Sequence, residues 1–147
     1  MTAKPSVLFL CTGNSCRSQM AEGFAHAMQG DRYEIFSAGI ETHGLNPHAV
    51  SVMAEAGIDI TAQQSQTVDD LGVDTIDYVI TVCDNARETC PFFPAQTTLI
   101  HHSFEDPPRL ARDAATPEEA LGHYRRVRDE IRDFVADLPS HLGTATP

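Results

Sequence analysis

The stretch Val7-Leu8-Phe9-Leu10-Cys11-Thr12-Gly13-Asn14-Ser15-Cys16-Arg17 decides how this chain folds. Ser6 to Leu10 reads as a strand whose apolar run is unbroken by polar alternation, as expected in a parallel sheet covered on both faces. The loop that follows has the form Cys-x5-Arg, and Ser18-Gln19-Met20-Ala21-Glu22-Gly23-Phe24 then opens a helix. A strand, a tight loop and a helix N-terminus make a cradle for a tetrahedral oxyanion, because backbone N–H groups converge there and the helix dipole favours negative charge. Thr12, Gly13, Asn14, Ser15, Cys16 and Ser18 would form the cradle, Cys11 stands at its mouth and Arg17 closes it. A cysteine so placed is expected to ionise more easily than a free thiol, and the thiolate is the nucleophile.

Outward from this loop, strand and helix alternate. Met20, Phe24 and Met28 recur every four residues with Ala21 and Ala25 beside them, an amphipathic helix from Ser18 to Gln29 that Gly30 ends. Tyr33 to Ser37 reads as a second strand. Asn46 caps a helix that begins with Pro47, carries Val50, Met53 and Ala54, and stops at Gly57. A short helix is expected around Thr67 to Leu71, a third strand from Ile76 to Val82, and a fourth from Thr97 to Ile100. Thr116-Pro117-Glu118-Glu119 is a capping box, and Leu121, Tyr124, Val127, Ile131, Phe134 and Leu138 line one face of the last helix. The tail beyond Pro139 is expected to fray.

The expectation is one α/β domain over residues 1–147, an open four-stranded parallel sheet with helices on both faces and strand order 2-1-3-4. Ligands on such sheets bind beyond the carboxyl ends of the strands, at the switch point between strands one and three. Cys11 ends the first strand and Cys83 the third, so the two sulfurs should project from neighbouring strands at one edge.

Composition narrows the function. With 147 residues, 41% of them hydrophobic, the chain can bury a core without disulfide staples. Ten basic against 21 acidic residues give a net charge of −11, which argues against a nucleic-acid partner and leaves an anionic substrate to local geometry. No run of membrane-spanning length and no signal peptide is evident, so a cytoplasmic protein without membrane association, a monomer by default, is expected. In that setting Cys11, Cys16, Cys83 and Cys90 suit catalysis or redox chemistry better than structural disulfides, and their spacings do not match structural zinc pairs. Were the residues between Cys83 and Cys90 helical, about 10.5 Å would separate the two Cα atoms. A disulfide tolerates about 7 Å, so the pair can bond only if the segment is irregular or unwinds. The run Pro91-Phe92-Phe93-Pro94 beyond it offers an apolar docking face. Asp106, before Pro107, is biased to extended backbone and is the candidate general acid, with Glu105 its neighbouring competitor. The seven histidines show no partnered spacing and suit surface or structural roles.

Cys11-Thr12-Gly13-Asn14-Ser15-Cys16-Arg17-Ser18, with Cys83, Cys90 and Asp106-Pro107, resembles the thioredoxin-linked arsenate reductase family, which shares its fold with the low-molecular-weight protein tyrosine phosphatases. Phe36-Ser37-Ala38-Gly39 and Glu41-Thr42-His43-Gly44 extend the resemblance over nearly the whole chain. Cys-x5-Arg specifies only the oxyanion loop; the further cysteine pair separates reductase from phosphatase. The resemblance implies that Cys11 attacks arsenate held by the loop and Arg17 while Asp106 protonates the leaving oxygen. Cys83 would then attack Cys11 and expel arsenite, and Cys90 would take the disulfide onward to thioredoxin or a similar thiol donor. Phosphate and sulfate would bind as analogues. No metal or organic cofactor is implied, since electrons come from thiols, and the biological role implied is arsenic detoxification. Some relatives bind a potassium ion; Asn14, Glu22 and Ser37 match that site, but Gln66 holds the place of its aspartate. A phosphomonoesterase at the same loop, and a non-catalytic oxyanion- or arsenite-binding redox sensor, are the alternatives, and Cys16 is left open between packing, protection and catalysis.

Overall fold

The computed structural model describes residues 4–72, 75–83 and 97–143. Four strands, β1 (Ser6–Cys11), β2 (Glu34–Gly39), β3 (Tyr78–Thr81) and β4 (Thr98–His101), form one parallel sheet in the order β2-β1-β3-β4. This is the expected order, with β1 and β3 adjacent: Leu10 pairs with Thr81 across them, and Cys11 pairs with Gly39 on the other side. All six residues of β1 are buried, which requires cover on both faces of the sheet. Asp77 fastens the start of β3 to β1, its carboxylate accepting from the backbone N–H of Ser6 at 2.8 Å while its own N–H donates to Ser6 Oγ at 2.8 Å.

Five α-helices lie among the described residues: α1 (Arg17–Gln29), α2 (Pro47–Glu55), α3 (Pro107–Arg112), α4 (Pro117–Ala136) and α5 (Leu138–Gly143). The segment read as a short helix at 67–71 is a single 3-10 turn, Asp69–Leu71. Helix α4 is the hub and packs on α1, α2 and α3. Its buried residues Tyr124, Val127, Ile131 and Phe134 recur at the helical period, and the Thr116 hydroxyl caps it by accepting from the Glu119 N–H at 3.1 Å. The capping box closes one residue early, since the Glu119 carboxylate accepts from Ala115 rather than from the cap itself.

Three expectations change. Met28 is 39% exposed: the buried stripe of α1 follows Ala21, Ala25 and Gln29, and Gln29 takes the inner place because its amide donates to the Val135 carbonyl at 3.0 Å. Asp106-Pro107-Pro108 opens a helix where the sequence reading placed none, since prolines in the first turn lack N–H groups that would be orphans anyway. The segment beyond Pro139 is helical through Gly143; Leu138 and Leu142, one turn apart, are both buried and hold it down.

Candidate active site

The loop between β1 and α1 is held by its carbonyls. Those of Cys11, Thr12, Gly13 and Ser15 accept from the backbone N–H groups of Ile40, Glu41, His43 and Asn46, at 2.9 to 3.2 Å. The Asn14 carbonyl accepts from the Gln19 amide at 2.9 Å, and the Cys16 carbonyl from Met20 N–H at 2.9 Å. With its oxygens engaged outside, the loop turns its N–H groups inward, the arrangement of an anion-binding nest. Cys16 stands at the N-cap of α1 and makes no side-chain cap, so the helix's first N–H groups also stay open to an anion.

Asn14 carries the sharpest bend, at φ 47°, a left-handed conformation that asparagine tolerates better than most residues. Its buried side chain donates to Ser18 Oγ at 2.9 Å and Ser37 Oγ at 3.0 Å and accepts from the Gln66 N–H at 2.8 Å. Strand β2 can approach this loop only because it ends in Gly39, where a Cβ would fall 2.8 Å from both Asn14 N and Thr12 O. The polar cluster of Asn14, Glu22, Ser37 and Gln66 is gathered in space. Ser37 Oγ donates to Glu22, and the Gln66 amide donates to the Ser37 carbonyl at 3.1 Å. Gln66 thus brings a neutral amide, its N–H engaged on the Ser37 carbonyl, where the resemblance implies an aspartate.

The loop opens into a cavity of about 640 Å³ that brings together Cys11, Cys16, Arg17, Cys83 and Asp106. Cys90 and the run 91–94 lie outside the described residues, as does the segment joining Cys83 to them. Cys11 and Cys16 are free thiols, and Cys11, Cys16 and Cys83 are only 4%, 5% and 3% exposed. Cys83 Sγ lies 3.3 Å from Thr12 Oγ1, and Cys83 shares the cavity wall with Cys11. The expected eased ionisation of Cys11 is reversed in this state. The neighbouring Cys83 thiol and then burial push its thiol well above the ordinary range, and together they outweigh the Arg17 charge and the Thr12 N–H, which pull the other way. Burial pushes Cys16 up to about 12 despite Arg17, so it stays a neutral packing thiol.

Arg17 reaches across to the β4–α3 connection. One guanidinium nitrogen donates to the Phe104 carbonyl at 2.9 Å, and the other lies 3.4 Å from the Asp106 carboxylate. Its Nε is buried with no hydrogen-bond partner among the described residues. Asp106 is extended at φ −88°, ψ 104°, as the following proline requires, and occupies the N-cap of α3 without capping it; the carboxylate turns to Arg17 instead. Glu105 points elsewhere, to Arg126 at 3.1 Å, so the two neighbouring acids are separated.

Several lining residues were not foreseen. His43 lies over Gly13 so closely that a Cβ there would fall 2.2 Å from its Nδ1, and its Nε2 lies 2.6 Å from a Glu41 oxygen. Asn46 lines the cavity, capping α2 with its carbonyl oxygen while its amide donates to the Tyr124 hydroxyl at 3.2 Å. Arg109 stands at the rim. The register could have found the first two, since Cys11 opposite Gly39 places the residues after β2 alongside the loop.

Comparison with known proteins follows this geometry. The family model described as low molecular weight phosphotyrosine protein phosphatase matches residues 6–145. An arsenate reductase of Bacillus licheniformis is 50% identical over 133 residues, covering 90% of this chain and 94% of its own. A solved arsenate reductase in its phosphate-binding state superimposes with a TM-score of 0.71 at 32% identity, covering 92% of this chain and 97% of that one. A low molecular weight protein tyrosine phosphatase from T. tengcongensis superimposes equally well, TM-score 0.71, at 26% identity over 93% of this chain and 99% of its own. Backbone shape therefore does not separate the two activities.

Proposed function

The chain belongs to the low molecular weight phosphotyrosine protein phosphatase family, and from that premise we propose that it reduces arsenate to arsenite through a relay of cysteine thiols. The observation that carries this reading is a second thiol, Cys83, lining the same cavity as Cys11 and 3.3 Å from Thr12 Oγ1, beside a loop built to hold a tetrahedral anion. A phosphatase needs one thiol at that loop; a second lining the same cavity suits disulfide formation.

Arsenate enters the nest of N–H groups and supplies the acceptor that Arg17 Nε lacks among the described residues. Competition for Arg17 loosens its contact with Asp106, which frees the carboxyl to move a proton. Cys11 Sγ attacks arsenic, an S–As bond forms, and an As–O bond breaks. The departing oxygen leaves as water, Asp106 delivering the proton and the Cys11 thiol replenishing it. Cys83 then attacks Cys11 Sγ. The S–S bond forms, the S–As bond breaks, and its electron pair stays on arsenic, taking it from the +5 to the +3 state as arsenite. Two thiols have lost the two electrons that arsenic gained. Cys90 attacks Cys83 in turn, restores Cys11, and offers the Cys83–Cys90 disulfide to a thioredoxin-type dithiol. Buried free thiols of this kind suit a reducing compartment such as the cytoplasm.

An NADPH-coupled arsenate assay with thioredoxin and its reductase tests the proposal. Cys11→Ser, Cys83→Ser and Cys90→Ser should each abolish multiple turnover, whereas hydrolysis of an aryl phosphate should survive in Cys83→Ser. Arsenate turnover that survives loss of Cys83 overturns the relay in favour of chemistry at the loop alone.

A further inference from the structure

The charge balance around the cavity points to a residue outside the motif. Among its described lining residues Arg17, His43 and Arg109 are basic and Asp106 is acidic. Arg17 lies 3.4 Å from Asp106, and His43 lies 2.6 Å from Glu41. Each is offset by a carboxylate before any anion arrives. Arg109 is exposed and pairs with no acidic side chain among the described residues. It sits three residues after Asp106, which occupies the N-cap of α3, the spacing that puts two side chains on one helix face. The chain as a whole carries −11 and repels the dianion it must bind.

We propose that Arg109 is the anion-recruiting residue of this enzyme: its uncompensated guanidinium makes the cavity mouth net positive, draws the tetrahedral dianion in against the global field, and sets the affinity for it. The assignment rests on the oxyanion reading of the loop and specifies how the loop is filled. It acts on binding and leaves the bond-making steps to the thiols. One unit charge acting on a dianion at a separation on the order of 8 Å in a water-like dielectric changes affinity about fivefold. A contact of charge alone is satisfied by lysine and is screened by salt. Arg112, one turn farther along α3, is exposed but does not line the cavity, and it provides an internal control for net charge.

The test uses two readouts on wild type, Arg109→Ala, Arg109→Lys and Arg112→Ala: protection of Cys11 from iodoacetamide by inorganic phosphate, and KM for arsenate. At low ionic strength Arg109→Ala should weaken phosphate protection and raise KM about fivefold with kcat unchanged, while the other two variants stay near wild type. At about 1 M salt, where the Debye length is about 3 Å, the difference should vanish. Equal protection in wild type and Arg109→Ala overturns the proposal, as does an equal loss in Arg112→Ala or a loss that salt does not reduce. If the wild type fails to reduce arsenate yet the phosphate ratios hold, the reductase reading falls and the role of Arg109 stands.

Discussion

Replacing Asn14 tests how the oxyanion loop is held. The fully buried Asn14 side chain makes three hydrogen bonds, to Ser18, Ser37 and the Gln66 backbone, while its own backbone sits at φ 47°. Alanine removes all three, at a net cost near 1 kcal/mol each. It also gives up the local hydrogen bonding by which asparagine tolerates the left-handed region, for up to about 1 kcal/mol more. The sum is about 4 kcal/mol, a large share of the roughly 5–15 kcal/mol that holds a domain folded. With a urea slope of about 2 kcal/mol/M the unfolding midpoint should fall by about 2 M. Asn14→Gly loses the same hydrogen bonds but not the conformational fit. Net of its greater freedom when unfolded, it should recover on the order of 0.5–1 kcal/mol over alanine. Both variants should also lose phosphate protection of Cys11, because the bend at Asn14 then loses its ties to Ser18, Ser37 and Gln66. A cost under about 1 kcal/mol for alanine, or a glycine variant less stable than alanine, refutes this account of the loop.

Cys83→Ala removes the leading influence that raises the Cys11 thiol, so the pH profile of Cys11 alkylation should move to lower pH. In sign, wild-type Cys11 is held protonated through neutrality and reacts only as pH climbs towards its raised value, and the variant should react sooner; an unmoved profile contradicts the thiol pair. Gly39→Ala sets a Cβ against backbone atoms of Glu41, Asn14 and Thr12 that cannot step aside cheaply, and phosphate titration should show anion binding lost or sharply weakened. Ile131→Ala, at the centre of the buried face of α4, should cost about 2–5 kcal/mol by urea denaturation, whereas Met28→Ala should stay within about 0.5 kcal/mol.

The sheet and its loop were legible because each rests on local chemistry. Val7 to Leu10 could only be a buried strand, Cys-x5-Arg fixed the turn after it, and alternation of period with right-handed crossover brought Cys83 beside Cys11. Asp106 was legible as a candidate from its proline; which arginine each of the two neighbouring acids would meet was not. That pairing depends on Arg17 and Arg126 reaching in from two helices far apart in sequence. The protonation of Cys11 was misjudged for a related reason: the motif displays the Arg17 charge and the amides that lower the pKa, but not the burial and second thiol that raise it. His43 and Arg109 carry no motif of their own; they become lining residues only when β2 docks beside the loop and α3 turns back over it. Met28 shows the limit of a period read alone. A four-residue spacing keeps a side chain on the helix stripe for two turns, and the contact that Gln29 makes with α4 decides the third.

The central claim is that arsenic's two electrons come from Cys11 and Cys83, and one single-turnover measurement reads this directly. Cys90→Ser, fully reduced and then given one equivalent of arsenate without any thiol donor, should release one arsenite per chain and stop, with peptide mapping showing Cys11 joined to Cys83. Arsenite released without that disulfide, or Cys11 and Cys83 still free after arsenate has bound, contradicts the account.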